Sequence, residues 1–123
     1  MKKIVYAATP FRMENKIGEI CDFIEQQGYF PLHPLLALPY DRYNYQRYSR
    51  ENIYKVCFGL VDLSDELWIF GIGSGSFKEW TRAMEQGKPI KSFIKRFDKN
   101  WKEWADKEKY KIQYKNVLDE VLK

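Results

Sequence analysis

The sequence predicts an α/β fold, an open parallel sheet with helices on both faces, and three observations carry that expectation. The first is a short, continuously apolar opening run, Ile4 to Ala8, of the kind found in parallel strands covered on both sides. The second is a pair of stripes at helical spacing, Ile17, Ile20, Cys21, Ile24 and Ile53, Val56, Cys57, Leu60, each one face of an amphipathic helix. The third is Leu67 to Ile90, LWIFGIGSGSFKEWTRAMEQGKPI, which reads as strand, glycine-serine loop, helix, turn and the start of another strand. Strands alternating with helices build a parallel sheet with right-handed crossovers.

Taken in order, Ile4 to Ala8 is the first strand, broken by Thr9-Pro10-Phe11. Glu14 to Gln27 is expected as a helix closed by Gly28, and Tyr29 to Leu32 as a second strand, whose Pro31 places it at an edge. Residues 33 to 48 are too long and irregular for a simple connection; Tyr40, Tyr43, Tyr45, Arg42 and Arg47 crowd into them. Such a loop either stacks and pairs with a ligand or packs its own aromatics down. Ser49 to Ser64 is the next helix with Ser49 as cap, followed by a strand at Leu67 to Phe70 and another at Pro89 to Ile94. Trp101 and Trp104 fall on a helix starting near Asp98. In the last twenty residues Tyr110, Ile112 and Tyr114 alternate like a fifth strand, whereas Val117, Leu118, Val121 and Leu122 repeat as a helix does.

At 123 residues, with 45% hydrophobic and 31% charged residues, the chain is expected to form a single domain, 1–123, with an ordinary core. No apolar run approaches the roughly 20 residues that span a bilayer, and a signal peptide is not evident, so a cytoplasmic protein is expected. Cys21 and Cys57 lie on helix stripes and are expected as reduced, buried thiols. One histidine and no Cys-x-x-Cys leave no expectation of a metal or other cofactor. The net charge of +4 arises mostly after Lys88, but acids are interspersed there, so a nucleic-acid stripe is not expected.

A small sheet of this type, flavodoxin-like or Rossmann-like, has four to five strands in the order 2-1-3-4-5. It binds ligands at the carboxyl ends of strands one and three, where the winding reverses. Thr9, Pro10 and Phe11 would then lie beside the loop Gly73, Ser74, Gly75, Ser76. Backbone N–H groups there, at a helix N-terminus, suit an anion. His33, after the second strand, and Arg47, with Arg50, at the start of the next helix, are further candidates for binding, against the plainer reading of an ordinary polar loop histidine and solvated arginines. Ser76-Phe77-Lys78-Glu79 has two readings. It matches the Ser-x-x-Glu capping box, in which Glu79 does no chemistry, and it also places a carboxylate at the proposed crevice.

Several of these pieces together resemble the nucleoside 2-deoxyribosyltransferase-like superfamily, which includes nucleoside monophosphate N-glycosidases and many phage and bacterial relatives. The matching pieces run from Ile4 to Ile90: the opening strand through Phe11, Asp65 to Gly71, Ser74 to Glu79, Ala83 and Gly87-Lys88-Pro89. The resemblance implies that Glu79 is the nucleophile at C1′ of the sugar and that Tyr6 orients it. It implies cleavage or exchange of the N-glycosidic bond of a nucleotide or nucleoside through a glycosyl-enzyme. It also implies assembly as a homodimer or higher homo-oligomer, for which tail aromatics such as Trp101 and Trp104 would serve. One position departs from the pattern: Cys57 stands where an aspartate is usual, and Asp62 lies too far along the helix to replace it. The loop ahead of Glu79 also lacks the acid usual in enzymes for free nucleosides, which favours a 5′-phosphate. A nucleotide-binding module without turnover is the alternative that the Cys57 departure leaves open.

Overall fold

The computed structural model describes residues 1–38 and 48–123. Four parallel strands form its sheet: β1 (Ile4–Ala8), β2 (Phe30–Leu32), β3 (Glu66–Ile69) and β4 (Ile90–Ser92), in the order β2-β1-β3-β4. The open α/β sheet expected from the alternating pattern is therefore present. In register, Tyr6 lies between Leu32 and Leu67, and Ala8 lies opposite Ile69, so β1 and β3 end together at the centre of the sheet. The short β2 lies at the edge, where Pro31, which cannot donate to a neighbour, is tolerated.

The sheet is buried on both faces because successive strand residues point in opposite directions. Val5, Ala7, Trp68 and Phe70 pack with Ile20, Phe23 and Ile24 of α1 (Ile17–Gln26). Aromatic edges fill much of that side, with Phe70 and Phe97 at 5.1 Å between ring centroids and Trp68 and Phe93 at 5.3 Å. Tyr6, Ala8, Leu67 and Ile69 face the other way. There they meet α3 (Arg50–Leu63) and α4 (Ser74–Glu85), with Leu118 and Val121 of α8 (Lys115–Val121). The Ser49 hydroxyl caps α3 by accepting from the Asn52 N–H at 3.1 Å, as the sequence led one to expect. At the other end of α3 the Lys88 ammonium donates to the carbonyls of Val61, Asp62 and Ser64 at 2.5–2.8 Å, placing a cation on the negative end of the helix dipole. A serine clasp, Ser92 Oγ donating to the Val121 carbonyl at 2.5 Å, fixes α8 beside β4.

Several boundaries differ from the sequence expectation. Residues Phe11–Lys16 form a tight 3₁₀ turn before α1, kinked at Met13, which it buries; the apolar spacing starts only at Ile17. The strand expected to reach Ile94 stops at Ser92, and α5 (Ile94–Phe97) starts at once. Asp98 ends that turn, so the tryptophan helix, α6 (Trp101–Ala105), starts later than expected. No fifth strand forms from Tyr110, Ile112 and Tyr114. Tyr110 lies in α7 (Glu108–Ile112), buried against Phe77 and Tyr114, whereas Ile112 is exposed. The contact that matters is the i, i+4 pair Tyr110 and Tyr114, a helical spacing that the i+2 alternation had disguised. Trp101 and Trp104, expected as exposed interface residues, are half-buried against the core.

Gly71 is where the ends of β1 and β3 touch. A Cβ there would lie 2.6 Å from Pro10 Cδ, with the Met13 sulfur closer still. Gly71→Ala should therefore lower stability by about 1–3 kcal/mol through overpacking, read as a lower urea midpoint at unchanged slope. An unchanged midpoint would mean that the two loops are free to part.

Candidate functional site

The carboxyl ends of β1 and β3 open into a cavity of about 360 Å³. Its floor is Glu79, its near wall Thr9 to Arg12, and its opposite wall Ile53, Tyr54 and Cys57 of α3. Ile72, Gly73 and the first turn of α4, Ser74 to Ser76, form one rim and Trp104, Lys109 and Tyr110 from the tail form another. Two of these segments were expected together from topology alone: strand one's exit and the glycine-serine loop.

The structure separates the two readings of Ser76-Phe77-Lys78-Glu79. Helix α4 starts at Ser74 with Gly73 as N-cap and no side-chain cap, about one turn before the capping-box reading, with Ser76 as N-cap, requires. Ser76 is inside the first turn, its hydroxyl buried without a hydrogen-bond partner among the described residues. Glu79 is thereby carried into the second turn, on the buried stripe of Ser76, Glu79, Trp80 and Ala83. Its carboxyl group accepts from the Tyr6 hydroxyl at 2.5 Å rather than folding back on Ser76.

Tyr6 is fully buried and Glu79 is 5% exposed. Burial dominates the acidity of Glu79: loss of water pushes its pKa up to about 8, against the opposing pull of hydrogen bonds from Tyr6 and Cys57. Burial and then the Glu79 charge hold the Tyr6 hydroxyl well above its usual range, so it serves as a proton donor. Cys57, at the position where the resemblance expects aspartate, touches both residues. Asp62 is turned away on the surface, where Arg82 grips it at 2.7 Å and Gln86 also donates to it.

The remaining expected residues fall unevenly. Pro10, Phe11, Gly73, Ser74, Gly75 and Ser76 line the cavity. Thr9 lines it too, although its hydroxyl donates to the Ala7 carbonyl at 3.1 Å. His33 is buried and caps α2 (Pro34–Ala37): its Nδ1 accepts from the Leu35 N–H at 3.2 Å. Burial lowers its pKa to about 4, so it is neutral near pH 7. Pro34 and Leu35, rather than His33 itself, line the cavity. Arg47 lies outside the described residues, as do Tyr40, Arg42, Tyr43 and Tyr45; Arg50 lines the cavity.

Sequence reasoning missed Arg12, Tyr54, Trp104, Lys109 and Tyr110, all on the walls. The signals for the last three were weak because nothing in a short helical tail says which way it folds back. Of the charged residues lining the cavity, Arg12 is paired with Asp98 at 2.6 Å. Among the described residues Arg50 and Lys109 have no ion pair, and Glu79 is the only acid in the lining. With Glu79 held protonated up to about pH 8, the described lining carries net positive charge at neutral pH. The unpaired first-turn amides of α4 add to it.

Both cysteines are free, Cys57 buried and Cys21 half-buried. Among the described residues no three His, Cys, Asp or Glu side chains gather as a metal ion would require. No described helix is long and apolar enough to cross a membrane. No protein-family model matches the chain, and no curated protein or solved structure is significantly similar to it.

Proposed function

We propose that this protein cleaves or exchanges the N-glycosidic bond of a nucleotide or nucleoside, with Glu79 as the nucleophile. The observation that carries the reading is the buried Tyr6–Glu79 hydrogen bond of 2.5 Å on the floor of a cationic cavity. The ordered resemblance of Ile4 to Ile90 to the nucleoside 2-deoxyribosyltransferase-like superfamily supplies the reaction class.

In this mechanism the ionised Glu79 attacks C1′, forming an O–C1′ bond as the C1′–N bond breaks. The electron pair leaves with the base, which takes up a proton from water. Water or a second base then attacks C1′ as the Glu79 O–C1′ bond breaks, loses its proton to solvent and restores the carboxylate. Tyr6 holds one carboxyl oxygen in place. A 5′-phosphate would meet the first-turn amides of α4, the Ser74 and Ser76 hydroxyls, and Arg50. A 5′-nucleotide is accordingly expected to show a KM about tenfold below that of its nucleoside, or lower still, from one added charge-assisted contact; equal values would remove the phosphate from the reading.

A binding module without turnover is the second reading, favoured by Cys57 beside Glu79 and by a carboxyl that burial keeps protonated at neutral pH. A panel of nucleosides and 5′-nucleotides, incubated with wild-type protein and Glu79→Ala and assayed for free base, separates the two. Base release that requires Glu79 selects the enzyme. Thermal stabilisation by a nucleotide with no base released selects the module.

A further inference from the structure

Arg12 joins three segments that are far apart in sequence. Its guanidinium donates through two nitrogens to the Asp98 carboxylate at 2.9 and 2.6 Å, and one of these also donates to the Ile72 carbonyl at 2.9 Å. Asp98, 1% exposed, accepts in turn from the Ile72 N–H at 3.0 Å. Both polar groups of the Ile72 residue are thus held by one ion pair. The Trp104 ring covers the guanidinium at 4.2 Å, shielding the pair from water on that side. Ile72 directly precedes Gly73, the N-cap of α4, and its own side chain is fully buried.

We propose that Arg12, Asp98 and Trp104 form a positioning clasp that fixes the Ile72 peptide and thereby aims the first-turn amides of α4 into the cavity. The physical case is one of preorganisation. A loop between a strand end and a helix, carrying Gly71 and Gly73, has many accessible conformations. Donors that must meet a ligand bind better when that freedom is already lost. A planar, two-pronged guanidinium meets a carboxylate and a carbonyl together, which a lysine ammonium cannot reproduce. The clasp also makes the tail part of the site, since Asp98 and Trp104 lie beyond β4. The consequence for substrate rests on the anion-binding role proposed above; the clasp itself does not.

Amide hydrogen exchange and phosphate titration by NMR on the intact chain test it with Asp98→Asn, Arg12→Lys and Trp104→Phe. In Asp98→Asn and Arg12→Lys, exchange at the Ile72 amide, which Asp98 holds at 3.0 Å, is expected to accelerate at least tenfold, while the β1 and β3 amides keep their protection. Trp104→Phe, which keeps an aromatic face over the guanidinium, is expected to stay near wild type. In the same two variants the concentration of inorganic phosphate needed to shift the Ser74–Ser76 amides should rise several-fold. Unchanged exchange at Ile72, or acceleration spread evenly over the sheet, would overturn the clasp, the latter because the ion pair would then be merely a structural support. Failure of phosphate to shift those amides in wild-type protein would instead remove the anion reading, with the exchange result still deciding the clasp.

Discussion

Glu79→Gln is expected to reduce base release by roughly 10³-fold or more, as loss of an essential nucleophile does, and at the same time to stabilise the fold near neutral pH. The activity loss follows because an amide cannot form the glycosyl ester. The stability gain follows from burial. The folded protein keeps the Glu79 proton up to about pH 8, whereas the unfolded chain releases it near 4.5. Wild-type stability is therefore whole below about pH 4.5 and declines as pH rises towards 8, because only the unfolded state gains by ionising. At about 1.4 kcal/mol per pH unit, the burden at pH 7 is about 3 kcal/mol. A glutamine accepts from Tyr6 without carrying it. Urea denaturation at pH 4, 7 and 8.5 should show the two proteins alike at the first pH and Glu79→Gln more stable at the others. A variant less stable than wild type at pH 8.5 would mean that the carboxylate is solvated in the fold. Retention of full base release would remove Glu79 as nucleophile whatever the stability result.

Tyr6→Phe should lower kcat by about 10- to 100-fold, the range expected when a hydrogen bond to a charged group is lost. It should also alter the pH profile. Since the nucleophile must be ionised, kcat/KM of wild-type protein is expected to rise with pH to a midpoint near 8. The Tyr6 hydrogen bond pulls that midpoint down against burial, so its removal should move the midpoint upward. A lower rate with an unmoved midpoint would make Tyr6 a contributor to shape alone. A flat profile between pH 6 and 9 would mean that Glu79 ionises more easily than its burial implies. The shift is informative because simple loosening of the core would lower the rate without favouring the protonated carboxyl.

The fold was legible where pattern and burial coincide. Ile4 to Ala8 and Leu67 to Phe70 are continuous apolar runs because both faces of the central strands are covered. The stripe ending at Ile24 faces the sheet. Of the second, Cys57 is buried and Ile53 and Leu60 half-buried, but Val56 is exposed and Val61 takes the inward place instead; Ser49 marks the start of that helix. Tyr110, Ile112 and Tyr114 misled because two-residue alternation over so short a span also contains an i, i+4 pair, and burial chose the pair. The candidate site was half legible. Pro10 and the glycine-serine loop were expected together because parallel strands that end side by side must bring their exits together. Arg12, Asp98 and Trp104 had no such signal: an arginine, an aspartate and a tryptophan are surface residues until three chain segments close around them.

Sequence by itself determined the alternation of strands and helices, the sheet's central pair and the loop that opens the cavity, since each depends on local spacing and polarity. For Ser76-Phe77-Lys78-Glu79 it left two readings, a helix cap and a carboxylate at the crevice. Tertiary structure decided between them by starting α4 at Ser74, which turns Glu79 inward under the sheet to meet Tyr6. The physical reason is that a carboxyl's chemistry depends on what surrounds it: the same side chain is a solvated cap at a helix end and, one turn further in, a desolvated group with its pKa pushed up to about 8.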